Sequence, residues 1–192
     1  MQDYLLGTNM KNPYHYYLNL PIKFNPNPVD MEGGHHRLYP LERVEKDFAD
    51  WFIERGVRIG FGEQFELSLD GVRKHIIHTD DFDKQPIVKL NYVYCETPHL
   101  MHWYKLKTGV ETTTAYSPAG TPYSTCTSDE CDLVYSAQVG KPSLVNVMEL
   151  HNVSEVSSTR ICYSFVLVHS NRRVRLNWDE ATELLKDYII EL

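Results

Sequence analysis

The segment that decides the fold is residues 57–106, VRIGFGEQFELSLDGVRKHIIHTDDFDKQPIVKLNYVYCETPHLMHWYKL. It contains short runs rich in β-branched and aromatic residues, separated by residues that favour turns. We predict strands over 57–61, 65–69, 74–79, 87–95 and 100–106, with a tight turn at Asp70-Gly71. Closely spaced short strands indicate an all-β sandwich or barrel rather than a parallel α/β sheet.

Amphipathic helical patterns flank this region. The apolar residues that share one face of the first pattern are Leu41, Val44, Phe48, Trp51 and Phe52. This spacing predicts a helix over about 40–55 on the outside of a sheet, with Pro40 in its first turn and Gly56 as its stop. Asn177 and Glu180 form a capping-box pattern that predicts a second helix, over about 178–191.

These elements predict a mainly β domain with flanking helices, a double-stranded β-helix (a cupin-like jelly roll). We expect a single domain over 1–192, with an irregular segment at 1–35 and a core at about 57–168. Within the irregular segment, residues 20–24 predict one short strand. Residues 107–142 are rich in Thr, Ser, Gly and Pro and predict a long loop, either a lid over the barrel mouth or an insertion without a role.

A candidate metal site begins at His78-Thr79-Asp80. In a strand, residues i and i+2 point to the same side, so the imidazole and the carboxylate should converge. His151 follows another apolar run, residues 144–150. Two histidines and one carboxylate form the facial triad that binds non-haem Fe(II).

Arg160 is a candidate binding residue for a carboxylate beside that metal. It begins the apolar run 160–168, and we predict that 144–150 and 160–168 pair as a hairpin. Cys162 and Ser164 share the strand face of Arg160 and would leave room for a flat ligand.

The ordered set His78, Asp80, His151 and Arg160 resembles the signature of the Fe(II)/2-oxoglutarate-dependent oxygenases. The runs 89–92 and 101–104 also look like the strand pair after His-x-Asp in small bacterial and phage members. The resemblance implies that the triad binds Fe(II) and that 2-oxoglutarate chelates the metal beside O2. It implies that Arg160 binds the far carboxylate of 2-oxoglutarate, and Asn91 is a candidate hydrogen-bond partner for this co-substrate.

The chain departs from the family pattern at two points. It has Arg160-Ile161-Cys162 where many members have Arg-x-Ser, and no Gly-Gly-x-Thr sequence follows the metal strand. Two other classes therefore stay open, a cupin-like hydrolase or isomerase that uses another divalent metal, and a non-catalytic jelly-roll binding protein. The expected substrate of the oxygenase is a small molecule or a peptide.

The amino-acid composition limits the classes of binding partner that we expect. The formal net charge of −7 argues against duplex nucleic acid. No apolar run approaches the ~20 residues of a membrane span, and the N-terminal sequence lacks a signal-peptide pattern, which predicts a cytoplasmic protein. The cysteines match no zinc motif, although Cys126 and Cys131 could form a local disulfide or metal clip.

Overall fold

The computed structural model describes residues 12–31, 35–67, 76–80, 85–116, 122–139, 142–154, 157–172 and 174–190. About half of this part of the chain lies in the strands of two antiparallel sheets. In spatial order, the seven-stranded sheet consists of β13 (Ile189–Ile190), β1 (His15–Leu18), β10 (Ser143–Asn146), β5 (Val88–Cys95), β12 (Arg160–His169), β3 (Val57–Leu67) and β2 (His36–Tyr39). The six-stranded sheet consists of β7 (Thr113–Tyr116), β8 (Pro122–Cys126), β4 (Ile77–His78), β11 (His151–Val153), β6 (His99–Leu106) and β9 (Cys131–Val139).

The helices within the described ranges are few and short. They are α1 (Lys46–Ile53), α2 (Trp178–Leu185) and the 3₁₀ turns Leu41–Arg43 and Lys186–Tyr188. No helix within the described residues is long and apolar enough to cross a membrane.

The seven-stranded sheet is covered on both faces, as the alternation along β12 illustrates. Tyr163 and Phe165 pack in a cluster with Phe48 of α1 and with residues of α2. Cys162 and Val166 point the other way and join a second cluster that includes residues of the six-stranded sheet. The helices therefore lie on the outer face of this sheet, and a second core lies between the two sheets.

Several predicted elements are confirmed. The strands at 87–95 and 100–106 appear as β5 and β6 with nearly the expected bounds. Gly56 has φ of 75°, which is the left-handed conformation of a helix stop. Asn177 and Glu180 form the predicted capping box at the start of α2.

The prediction of two strands at 57–61 and 65–69 is wrong, because β3 runs without interruption from Val57 to Leu67. Gly62, which lies between the two predicted strands, and Gly60 are both sites of close packing. A Cβ on Gly60 would come within 2.6 Å of a methyl group of Val168, and Gly60 coincides with a shift of register between β3 and β12. Glycine here allows a bulge and close contact rather than a chain reversal.

The prediction of a long loop at 107–142 is also wrong, because the segment contains β7, β8 and β9. Its Thr and Tyr residues favour strands, and the exposed side chains of β7 give it the polar composition of a loop. Composition was therefore a misleading indicator for an edge strand with little burial.

The predicted hairpin of 144–150 with 160–168 does not form. β5 lies between β10 and β12, and the chain crosses to the other sheet before β11. The predicted strand at 20–24 is replaced by β1, and the predicted helix at 178–191 ends at Leu185 because Ile189–Ile190 pairs with β1. The predicted helix at 40–55 is divided into a 3₁₀ turn and α1. The turn at Asp70-Gly71 lies outside the described residues.

Candidate metal centre

The structure brings His78, Asp80 and His151 together, as the sequence predicts. One possible ligand atom from each residue lies within 4.8 Å of those of the other two. His78 and His151 are register partners on β4 and β11, and their ring centroids are 4.6 Å apart. Nε2 of His78 lies 3.5 Å from Oδ1 of Asp80. This group could hold a metal ion.

Backbone hydrogen bonds orient both imidazole rings. Nδ1 of His78 lies 2.9 Å from the carbonyl oxygen of Ile76, and Nδ1 of His151 lies 2.9 Å from that of Glu149. A carbonyl oxygen only accepts, so each Nδ1 carries a proton, and in the neutral form of each ring Nε2 then keeps its lone pair. Metal-binding histidines commonly have this arrangement, because the hydrogen bond fixes both tautomer and ring orientation.

Backbone hydrogen bonds to two neighbouring segments hold the chain beside His78 in place. The amide of Thr79 donates to Ser124 at 3.0 Å, and that of Asp80 donates to Val147 at 2.8 Å. Ile77 and Leu150, which directly precede the two histidines, are buried in a small cluster with the cysteines at 126 and 131. Burial of the apolar residue before each histidine therefore anchors β4 and β11, and the histidine that follows faces the site.

The charges of the site suit a divalent cation. Burial alone would raise the pKa of Asp80, but the Lys89 ammonium and the two histidines outweigh it and hold that pKa well below its usual range. Burial, helped by His78, lowers the pKa of His151 to about 4. At neutral pH the site thus offers an ionised carboxylate and a neutral imidazole, which are the forms that bind metals.

Lys89 and Glu63 are site residues that the sequence reasoning missed. Nζ of Lys89 lies 2.7 Å from Oδ2 of Asp80 and 2.7 Å from Oε2 of Glu63. Burial would lower the pKa of Lys89, but the two carboxylates raise it above its usual value. The available signal was a lysine inside the largely apolar run that forms β5.

Arg160 is buried on the seven-stranded sheet, with only 4% of its surface exposed. Its Nε has no hydrogen-bond partner among the described residues. Burial raises the pKa of Cys162, while the charges of Arg160 and then Lys89 oppose that rise. Cys162 therefore lies within electrostatic reach of both cations, on the strand face that leads from Arg160 toward Ser164.

Asn91 lies on the same interior face of the sheet. It is the register partner of Ser164, whose hydroxyl donates to Oδ1 of Asn91 at 2.7 Å. Along β12, Ser164 is four residues from Arg160, which corresponds to about 13 Å of strand. Asn91 is therefore placed between the level of Arg160 and that of Lys89, which faces Val166.

Part of the segment 107–142, for which the sequence left open a lid or an insertion without a role, adjoins the site as strands. Thr125 of β8 is the register partner of His78, and the ring centroid of Tyr123 lies 5.9 Å from that of His78. Tyr116, on β7 of the same segment, has an exposed side chain. Glu130 is engaged in its own turn, where its carboxylate accepts from the amide of Thr127 at 2.7 Å.

A surface cleft of about 460 Å³ lies where β5 ends and β12 begins, lined in part by Cys95, Glu96 and Ser158. Its lining includes neither the triad nor the Arg160 side chain. This cleft is separate from the candidate metal site, which is defined by the convergence of the three donor side chains. The thiols of Cys126 and Cys131 are free rather than joined. Burial raises the pKa of Cys126 to about 12, so this thiol is protonated at neutral pH.

No protein-family model matches the chain, and no curated protein matches it significantly. Its function is therefore inferred from the geometry of the site.

Proposed function

We propose that this protein is a non-haem Fe(II)- and 2-oxoglutarate-dependent oxygenase, a hydroxylase built on a double-stranded β-helix. The observation that carries the proposal is the convergence of His78, Asp80 and His151 with ligand atoms within 4.8 Å. Two imidazoles and one carboxylate leave coordination positions open for a co-substrate and O2. The two facing antiparallel sheets are compatible with a jelly roll.

Fe(II) with 2-oxoglutarate and O2 would supply hydroxylation of a C–H bond, with succinate and CO2 as the other products. The protein would contribute the ligands and the orientation of the co-substrate. His78 retains 34% side-chain exposure, which gives a substrate access to the site from that side. Tyr123 offers an aromatic contact beside it.

Arg160 is the proposed partner of the distal carboxylate of 2-oxoglutarate. Its buried Nε has no hydrogen-bond partner in the part of the chain that the structure describes, and an unpaired buried donor is unfavourable until a ligand satisfies it. The extended guanidinium and a five-carbon dicarboxylate together could span the distance from the start of β12 to the level of Asn91. Asn91 would then be a polar neighbour of the co-substrate.

The direct test is turnover of 2-oxoglutarate. The protein is loaded anaerobically with Fe(II), exposed to O2 and 2-oxoglutarate, and assayed for succinate. We expect succinate from the parent protein and none above background from Asp80→Ala or His151→Ala. Metal binding without any decarboxylation would contradict the oxygenase and favour a cupin-like hydrolase, an isomerase or a binding protein.

Arg160→Ala tests the co-substrate site separately. Loss of a charge-assisted contact should weaken 2-oxoglutarate binding by about 2–3 kcal/mol while Fe(II) binding stays intact. Arg172→Ala is the matched control, since Arg172 is an exposed arginine that pairs with Glu180. An apparent KM for 2-oxoglutarate that Arg160→Ala leaves unchanged would assign this contact to another cation.

A further inference from the structure

Lys89 carries a buried charge that the proposed reaction does not use. Its side chain is only 9% exposed, and its ammonium lies 2.7 Å from a carboxylate oxygen of both Asp80 and Glu63. Removal of either partner from such a buried cluster leaves an uncompensated charge, which is strongly unfavourable. The cluster joins β3 and β5 of one sheet to the ligand segment that follows β4 of the other.

The two oxygens of Asp80 have different partners. Oδ2 faces Lys89, whereas Oδ1 lies 3.5 Å from Nε2 of His78. The last torsion of an aspartate is broad, so an unrestrained carboxylate can exchange its oxygens or present both of them. The ion pair with Lys89 restricts that choice and leaves Oδ1 on the side of the histidines.

The Glu63 carboxylate lies beside the Lys89 ammonium and has the opposite charge. Its other oxygen, Oε1, lies 3.0 Å from Nε2 of His36, a partly exposed residue of β2. An unaccompanied ammonium next to a divalent cation would repel it. Because Glu63 offsets this charge, Lys89 and Glu63 together add no net charge beside the site.

We propose that Lys89 and Glu63 are positioning residues of the metal centre: Lys89 holds Oδ2 of Asp80 so that Oδ1 alone faces the cation, and Glu63 holds Lys89. This inference rests on the proposed function, because it requires a divalent cation bound by the triad. One oxygen from Asp80, rather than two, keeps a coordination position open for the co-substrate. The competing explanation is an ion cluster that only stabilises the fold.

Co(II) is a suitable probe, because it reports both affinity and ligand geometry through its visible absorption. We expect Lys89→Met to weaken Co(II) binding about 10- to 100-fold, as for other residues that orient metal ligands, and to change the Co(II) spectrum. Glu63→Gln should act in the same direction with a smaller effect. Lys89→Arg should restore part of the affinity, since a guanidinium also donates to a carboxylate.

Gln64→Met is the matched control. Gln64 is the neighbour of Glu63 on β3 and is 1% exposed, but it hydrogen-bonds the backbone of Val29 at 2.8 and 3.0 Å instead of the site. This variant should lower the melting temperature and leave Co(II) affinity and spectrum unchanged. A merely structural cluster would make Lys89→Met behave in the same way.

The possible outcomes distinguish a failure of the proposed function from a failure of the positioning role alone. A parent protein that binds no divalent cation overturns the proposed function and this inference with it. A parent that binds Co(II), with Lys89→Met equal to it or tighter and with an unchanged spectrum, overturns only the positioning role. If Lys89→Met does not fold, Glu63→Gln decides, because a native affinity and spectrum in that variant would also overturn the role.

Discussion

The two sheets differ in how their strands are stabilised. β3 and β12 of the seven-stranded sheet have 11 and 10 residues, and their outer faces contribute to a cluster that also includes both α-helices. The strands β4 and β11, which carry the two histidines, have 2 and 3 residues. The residues before these histidines pack in a cluster of four buried side chains, counted among the described residues. The first sheet is therefore stabilised by burial. The ligand strands depend more on hydrogen bonds, charges and, as we propose, a metal.

Asp80 and Lys89 connect these two regions. The carboxylate belongs to the segment that follows β4, and the ammonium extends from β5. Buried ion pairs give little net stability, but they specify which groups face each other. Four experiments can test whether the two sheets are stabilised differently. They change a buried side chain, the protonation of a buried histidine, the binding of a metal and the cap of a helix.

The largest expected effect comes from the outer core. Phe165 is completely buried among aromatic rings that include Phe24 and Phe48. Phe165→Ala should lower the free energy of unfolding by about 3–5 kcal/mol, because it removes apolar contacts and leaves a cavity. Urea unfolding measures this loss, and Phe165→Leu provides a milder variant.

The comparison variant for the small cluster is Ile77→Ala, beside His78. Ile77 has fewer buried neighbours, so Ile77→Ala should lower the free energy of unfolding by less than Phe165→Ala does. Because Ile77 precedes His78, the substitution should also weaken metal binding. If Ile77→Ala lowers the free energy of unfolding as much as Phe165→Ala does, the two regions are equally stabilised and the proposed difference between the sheets is wrong.

The second effect concerns His15, which lies between the sheets near the rings of Trp103 and Tyr17. Burial lowers its pKa from 6.5 to about 4. The unfolded chain takes up this proton at a higher pH than the folded chain does, so the contribution of His15 is complete above about pH 6.5 and declines as the pH falls toward 4. The decline should be on the order of 3 kcal/mol.

Urea unfolding of the metal-free protein across this pH range measures the effect, with His15→Leu as the comparison. The variant should lose less stability on acidification than the parent. It should keep part of the slope, because His151 is also a buried histidine with a lowered pKa. Parallel pH profiles for the two proteins would contradict the assignment to His15.

The site was more predictable than the path of the chain. The alternation of side chains along a strand was enough to place His78 and Asp80 on one side, and local hydrogen bonding was enough to predict the Asn177 cap. The strand pairing was not local: that β5 lies between β10 and β12 depends on contacts distant in sequence. Lys89 was missed for a similar reason, since a buried lysine is explained only by partners from other segments.

The third effect is stabilisation by metal. A ligand at 100 times its dissociation constant stabilises the native state by about 2.7 kcal/mol. We expect Co(II) to slow amide exchange at Asp80, whose N–H donates to Val147, and at β4 and β11 generally. The ends of α1 should not respond, because their opening does not release the metal.

His151→Ala is the control for this experiment and should abolish the slowing of exchange. Exchange at β4 and β11 that Co(II) leaves unchanged in the parent protein would show that these strands do not depend on the metal. The proposed contrast between the sheets would then have to rest on burial alone.

The smallest effect compares one local hydrogen-bonding motif from each region. Oδ1 of Asn177 accepts from the amide of Glu180 at 2.9 Å, and α2 places Ala181 and Leu185 in the outer core. Asn177→Ala should therefore lower global stability by about 1 kcal/mol, whereas Asn177→Asp keeps the cap and should differ little from the parent. Thr127→Ala removes a hydroxyl that donates to Glu130 in the turn before β9. Its effect should be confined to amide exchange near that turn, because this exposed hydrogen bond supports no large core. Equal losses of global stability in the two alanine variants would mean that the six-stranded sheet is as tightly coupled to the fold as the seven-stranded sheet.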